Sequence, residues 1–301
     1  MINVKDSYLL AVIFTALSLL SACSGNHSSA PELLNTPQPQ KSVEVAETVD
    51  IGYVFVGVGG EITFQTETDV STSSGQGRIV GTSKTIYDSS RAIPREFGFQ
   101  DPDGGPYLVI KSHSKDNDSM EFVLSSTNYI GKSGVSVLSF SDEVYDLAST
   151  NTYNDSRAAG DQSYQLGQVD LTNSSKVLYD RNTHNEIGEF IYSSKDTPVQ
   201  LESVSVPAGS YQALKFQFES NSRSIINGNL VTETWRGNYW IDVPTGQLVQ
   251  VVRSGQQYYA KEGNTYSLVE VRKLSEIKKA AQTSSVGQTL DSPAFRSTSL
   301  M

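Results

Sequence analysis

The chain is 301 residues long, 37% hydrophobic, and sets 23 Lys and Arg against 33 Asp and Glu for a formal net charge of −10. That length and apolar content can bury a full core and exclude disorder throughout. The acidic balance argues against nucleic acid and anionic headgroups as partners held by charge, and no basic run is longer than the pair Lys278-Lys279. The first element is an apolar span of 13 residues, Tyr8 to Leu20, preceded by Lys5 and the terminal amine. It is shorter than the roughly 20 residues a membrane-crossing helix needs and suits the apolar region of a signal peptide.

Leu20-Ser21-Ala22-Cys23 follows, and Cys23 is the only cysteine of the chain. This stretch resembles the lipobox of bacterial lipoproteins, in which a leucine and two small residues precede the modified cysteine. The resemblance implies that the Cys23 thiol is joined to diacylglycerol, that residues 1–22 are removed and that the new amino terminus is acylated. Ser24 stands where an Asp would favour the inner membrane in the enterobacterial sorting logic that such proteins resemble, so the outer membrane is favoured. The alternatives are an ordinary secretory signal with an incidental cysteine, or an uncleaved apolar anchor. One acyl chain binds a bilayer only marginally, whereas two or more on one residue make a stable anchor; the bilayer is then a partner without any spanning helix. No thiol remains for a disulfide, so burial and hydrogen bonds must hold the fold.

Residues 23–48 are rich in Ser, Asn, Pro, Gln and Glu without apolar periodicity and read as a flexible tether. The β domain is expected over 49–274. Ile51 to Val58 and the alternating Ile62, Phe64, Thr66 and Thr68 suggest a hairpin turning at Gly59-Gly60. Further strands are expected at Gly77–Asp88, Tyr107–Ser112, Met120–Ser125 and Val135–Phe140, with a short helical turn at Asp142–Ser149. The polar stretch 149–167 reads as a long loop or as a domain boundary, with the loop favoured.

The second half alternates more clearly. Leu214, Phe216 and Phe218 interleave with Lys215, Gln217 and Glu219, the pattern of a strand with one buried face. Pro207-Ala208-Gly209-Ser210, Asn227-Gly228, Pro244-Thr245-Gly246 and Gly263-Asn264 supply turns between Val204–Val206, Leu230–Ile241, Leu248–Val252 and Tyr266–Val271. The fold class is therefore mainly β, an antiparallel meander or curved sheet of sandwich or barrel type with few or short helices. "VPAGSYQALKFQF" and "YWIDVPTGQLVQVVRSG", within residues 204–254, resemble the β-meander domains of several bacterial envelope proteins, which implies a fold and not a function. Glu276 to Gln282 suggests a short helix inside a flexible tail, 275–301.

Chemistry is sparsely marked. His27, His113 and His184 have no second His or Cys at ligand spacing, and Asp116, Asp118 and Glu121 lack the glycine and the late Glu of a calcium loop, so no metal site is expected. No Gly-x-Ser-x-Gly elbow marks a nucleophile, and Gly57-Val58-Gly59-Gly60 lacks the following helix of a dinucleotide cradle, so no cofactor is expected. Trp235 and Tyr239 fall on one strand face and Trp240 on the other. These aromatics are either core packing or a ligand platform.

The function expected is a non-enzymatic structural, assembly or interaction component of the envelope, offering a sheet edge or loop surface to a protein partner. The alternatives are a module binding a lipid, glycan or other small ligand against Trp235, Tyr239 and Trp240, and a hydrolase with dispersed catalytic residues.

Overall fold

The structure is a computed structural model, and it describes residues 47–98, 104–116, 121–131, 136–147, 150–155 and 163–280. The lipobox, the tether up to residue 46, the loop residues Asp101-Pro102-Asp103, and the tail from residue 281 lie outside the described residues. Apolar–polar alternation dominates what is described, and it yields strands almost throughout. They are β1 (Thr48–Asp50), β2 (Glu61–Thr72), β3 (Gly75–Ser90), β4 (Tyr107–Asp116), β5 (Val123–Ile130), β6 (Ser136–Phe140), β7 (Val144–Leu147), β8 (Thr152–Asp155), β9 (Ser163–Gln165), β10 (Asp170–Asp180), β11 (Glu186–Val206), β12 (Gly209–Ile226), β13 (Asn229–Asp242), β14 (Leu248–Tyr259) and β15 (Asn264–Lys278). A 3-10 turn, Arg95–Phe97, lies between β3 and β4.

Strands β10 to β15 form an antiparallel meander, β15 pairs back onto β2, and β2 to β7 continue the ladder until β7 meets β10. Because β10 also pairs with β11, the sheet closes into an antiparallel barrel of twelve strands. Strand β8 continues the β7 side of β10, pairing Thr152–Asp155 with Thr172–Ser175. Closure gives each of the twelve strands a partner on both sides, but β10 covers β11 only from Glu186 to Asp196, so residues 197–206 of β11 pair with β12 alone and keep an open strand edge.

Register decides which side chains face the lumen. Phe216 lies opposite Tyr239, Tyr239 opposite Val251, Val251 opposite Arg272, and Arg272 opposite Thr66, so all five share one face. The lower interior, at the end where β2 begins, is apolar: Ile62, Phe64, Leu108, Ile110, Ile130 and Leu274 cluster with Val56. The two-stranded sheet of β1 and β9 plugs this end, with Val49, Ile51 and Tyr164 packed on the inward Leu214, Phe216 and Ile241. The Tyr164 ring meets Phe216 edge-on at 4.9 Å, and Gly167 N donates to Pro198 O at 2.8 Å.

The outer face has two apolar patches, each covered by a segment of the chain. Ile93 and Phe97 cover Tyr107, Val109, Tyr129, Leu138 and Tyr145, with the Arg181 guanidinium 4.8 Å from the Phe140 ring. The tip of the β11–β12 hairpin reaches past β13 and β14, where Ala208 N donates to Leu274 O, and Val204 and Ala213 pack on Trp240 and Val249. Elsewhere the outer face is mixed: Gln65, Glu67 and Asp69 are exposed on β2 and Gln217, Glu219, Asn221 and Arg223 on β12, while Leu171, Ile191 and Val269 are exposed on β10, β11 and β15. No helix of the described residues is long and apolar enough to cross a membrane.

The structure departs from several local expectations. Ile51 to Val58 is not a strand: its backbone is tied to the β13–β14 turn, Gly52 N to Val243 O and Val54 N to Thr245 O, and Gly59-Gly60 turns it into β2. The partner of β2 is instead β3, from Glu61↔Ile86 to Thr72↔Gly75. The helical turn at Asp142–Ser149 is strand β7, because Tyr145 and Leu147 bury their side chains against β6 and β10. The helix expected at Glu276–Gln282 begins as strand, since β15 runs to Lys278 on a bulge between Leu274 and Glu276. The stretch 149–167 holds two short strands, β8 and β9, and the strands before and after it belong to one sheet. The strand expected at Met120–Ser125 lies further on, at Val123–Ile130.

Candidate functional site

Above the plug the lumen face changes character. On β13, β14 and β15 the inward positions are Glu233, Trp235, Gly237 and Tyr239; Val251, Arg253, Gly255 and Gln257; and Leu268, Glu270 and Arg272. A fully apolar wall would have served packing alone. Instead a chain of polar contacts runs down it.

Trp235 anchors that chain. Its cross-strand neighbour is Gly255, where an added Cβ would stand 2.7 Å from the indole ring and 2.1 Å from Thr234 O. The indole therefore lies flat over the β14 backbone, as it can only above a glycine. The Arg253 guanidinium caps the ring at 4.2 Å, a cation–π contact. Trp235 Nε1 donates to Glu233 Oε2 at 3.3 Å, and Gln257 Nε2 donates to Glu233 Oε1 at 2.5 Å. Burial pushes the Glu233 carboxyl above the usual carboxylate range, against these two hydrogen bonds and Arg253, which favour its charge. Arg253 Nη2 holds both oxygens of Glu270, at 2.9 and 3.0 Å.

Arg272 lies diagonally below Arg253. Its guanidinium packs on the Phe64 ring at 4.3 Å, and among the described residues no hydrogen bond or ion pair reaches it. Burial lowers its pKa, with Glu270 opposing and Arg253 reinforcing the shift. On the opposite wall Lys176, 6% exposed, faces Asp146 at 3.8 Å, and Asn151 Nδ2 donates to Asp146 at 2.8 Å. Burial lowers the Lys176 pKa more than Asp146 raises it. Asn128, Ser126, Ser136 and Ser139 line the lumen between the two walls, all buried.

The aromatics singled out from the sequence separate as their alternation requires. Trp235 and Tyr239 face the lumen, and Tyr239 stacks on Phe216 with 4.8 Å between ring centroids. Trp240 faces outward but is covered, 8% exposed, by the β11–β12 tip; its Nε1 donates to Glu202, and Lys215 Nζ lies 5.4 Å over its ring. It shares no site with the other two. Neither histidine of the described strands and turns reaches the lumen. His113 lies opposite Lys84 on the outer face, where burial and Lys111 lower its pKa, and Tyr145 Oη lies 3.3 Å from His184 Nδ1 at the turn after β10. Among the described residues no three His, Cys, Asp or Glu side chains converge as a metal site. Sequence reasoning missed Glu233, Arg253, Gln257, Glu270 and Arg272. The available clue was parity: Glu233 is two residues from Trp235, on the face assigned to the aromatics.

No protein-family model matches the chain, and no curated protein matches it. Among solved structures it is similar to an exported protein with a YmcC-like fold from Bacteroides fragilis, 14% identical over 77% of this chain and 100% of that one, with a TM-score of 0.33. It is also similar to the hypothetical lipoprotein YmcC from Escherichia coli, 13% identical over 73% and 86%, TM-score 0.26. A third is described as a lipoprotein from Parabacteroides distasonis, 13% identical over 75% and 99%, TM-score 0.29. Likenesses this faint assign neither a family nor an activity.

Proposed function

We propose that the chain is an envelope lipoprotein whose barrel is a tethered, non-enzymatic binding module for a small polar ligand. Cys23 carries the acyl chains, preferentially in the outer membrane, and residues 24–46 form the leash. A flexible segment of that length spans roughly 27 Å root-mean-square, enough to hold the barrel clear of the headgroups. The observation that carries the binding role is the polar wall of the lumen: Arg253, Arg272, Glu233, Glu270 and Gln257 turn inward on adjacent strands where apolar side chains would pack more cheaply. Two experiments test it. Metabolic labelling with a clickable palmitate analogue should mark the wild type and not Cys23→Ala; equal labelling removes the anchor. Native mass spectrometry of protein released gently from producing cells should show a bound small molecule that Trp235→Ala loses; a bare mass in both removes the binding role.

A second reading, an assembly component, is favoured by exposed apolar side chains where β10 and β11 part. Val169, Leu171, Val199 and Leu201 are 40% to 50% exposed, beside the point where Leu166 N donates to Glu47 O and the tether enters. Cross-linking from Leu171 in intact cells would identify an envelope protein seated there.

A further inference from the structure

We propose that the lumen is completed by an oxyanion of its ligand, a carboxylate or a phosphate group, seated in the plane of the Arg272 guanidinium with Arg253 beside it. This rests on reading the barrel as a binding module.

The cations of this wall are unevenly matched. Arg253 and Arg272 face the lumen from neighbouring strands as diagonal cross-strand neighbours, since Arg253 pairs with Glu270 and Arg272 with Val251. Such positions are close enough for long side chains to meet one ligand. Glu270 commits both oxygens to Arg253. Glu233, the next carboxylate along the wall, accepts from Trp235 and Gln257 instead. Arg272 is left with the face of Phe64 as its packing contact, and among the described residues the Glu270 charge acts on it without a hydrogen bond.

That contact uses the flat face of the guanidinium and leaves its edge, with five N–H donors, to be satisfied. Nε is buried and has no partner. Burying a cation whose donors are unmet is costly, even with the Glu270 charge nearby, and replacing it by an apolar side chain would relieve the cost. A carboxylate or phosphate matches the fork of donors with two parallel hydrogen bonds. It would satisfy the unmet donors without disturbing the Phe64 contact. The surroundings leave a way in: Arg272 itself is half-buried, and its cross-strand neighbours are Thr66 on β2 and, beyond it, Gly81 on β3. Neither is large enough to wall it off.

The test uses the full chain in detergent and isothermal titration with phenyl phosphate, benzoate and the neutral benzamide. Binding of either anion, with benzamide at least about tenfold weaker, is the expected result. Whichever anion binds more tightly distinguishes a phosphate ester from a carboxylate source. Arg272→Met should weaken the anion by a further tenfold or so while raising the melting temperature of the unliganded protein, because the orphan charge is gone. In ¹H–¹⁵N spectra the Arg272 Nε–H resonance should move on titration. Benzamide binding as tightly as benzoate overturns the oxyanion and leaves the binding module standing. So does Arg272→Met that binds the anions as the wild type does. A lower melting temperature in Arg272→Met, with no heat from any anion, assigns Arg272 to the fold and also overturns the proposal. A native mass spectrum with no small molecule, by contrast, overturns the binding module itself.

Discussion

Replacing Gly255 by alanine should cost the barrel about 3 kcal/mol, a large penalty for one methyl group. An alanine Cβ at this position would stand 2.1 Å from Thr234 O and 2.7 and 2.8 Å from two indole atoms of Trp235. The first contact is with backbone of the paired strand and cannot be relieved by a rotamer change. The ring must therefore lift, and the strands must part. Overpacking of this kind costs about 1–3 kcal/mol. Lifting the ring also weakens the Nε1 hydrogen bond to Glu233, about 1 kcal/mol, and the Arg253 contact at 4.2 Å, about 1 kcal/mol where partly desolvated. These losses share one displacement and do not add fully, which gives the figure of about 3 kcal/mol. Gly77→Ala is the internal control, because an added Cβ there meets nothing within 4 Å. It should be neutral or stabilise by about 0.5 kcal/mol through the lost chain entropy of glycine. Equilibrium urea unfolding followed by tryptophan emission measures both, and the Gly255→Ala midpoint should fall by about 1 M. Equal midpoints for the two variants would refute the packing of Trp235 on Gly255.

Phe216→Ala should cost about 3–5 kcal/mol, since Phe216 is 1% exposed and touches both Tyr239 and the plug residue Tyr164; faster amide exchange at Val49 than at Leu108 would report that the plug loosens first. For Glu233 the folded pKa is raised above 4.5, so the folded state holds the proton more tightly and the wild type loses stability as pH climbs from about 4.5 through that raised value. Glu233→Gln lacks this loss, and the stability difference between variant and wild type should grow in the variant's favour across the same window; a pH-independent difference would contradict it. Asp146→Asn strands Lys176 without its counter-charge and should cost about 3 kcal/mol at neutral pH. Because burial already lowers the Lys176 pKa, the unfolded chain binds the proton more tightly. The deficit should therefore shrink as pH rises toward 10.5, and Asp146→Asn with Lys176→Met should recover most of it in urea unfolding.

The meander was legible because its turns carry their own chemistry. Asn227 and Gly228 both take positive φ, 51° and 76°, and Gly209, Gly246 and Gly263 do the same where the sequence placed turns. Alternation also separated Trp235 and Tyr239 from Trp240 correctly, since a strand repeats every two residues whatever lies on either side. Which face was the inside was not legible, because both faces carry apolar residues: Trp240 is buried by a hairpin tip whose reach to Leu274 no local pattern encodes. Ile51 to Val58 has strand composition, yet its residues serve the plug and the lower core. Propensity there lost to tertiary packing. The β7 segment Val144–Leu147 is too short for its period to show, and its pairing with the adjacent β6 and with Tyr179, 34 residues on from Tyr145, makes it a strand. Closure depends on β15 meeting β2, some 200 residues earlier in the chain as Leu274 opposite Phe64 shows, and nothing local announces such a pairing. The polar lumen followed from closure and was hidden with it.

A barrel of eight strands is about as wide as its own side chains can fill, and twelve strands make a wider one. The chain meets that excess volume in two different ways at its two ends. Below, it inserts β1 and β9 and fills the remainder with Phe64, Leu108, Ile110, Leu214 and Phe216, so that the lower end is a conventional core. Above, it places Glu233, Arg253, Glu270, Arg272, Lys176 and Asp146 on facing walls, with serines and Asn128 between them. Stability alone does not call for this arrangement, since apolar residues of similar volume in place of buried ion pairs are often neutral or stabilising. The outer patches under Phe97 and under the β11–β12 tip supply further apolar burial outside the ring, which reduces the need for apolar packing in the upper lumen. The half of the barrel that folding least requires to be polar is thus the half that is polar, and a ligand with hydrogen-bonding and charged groups is what that side-chain set suits.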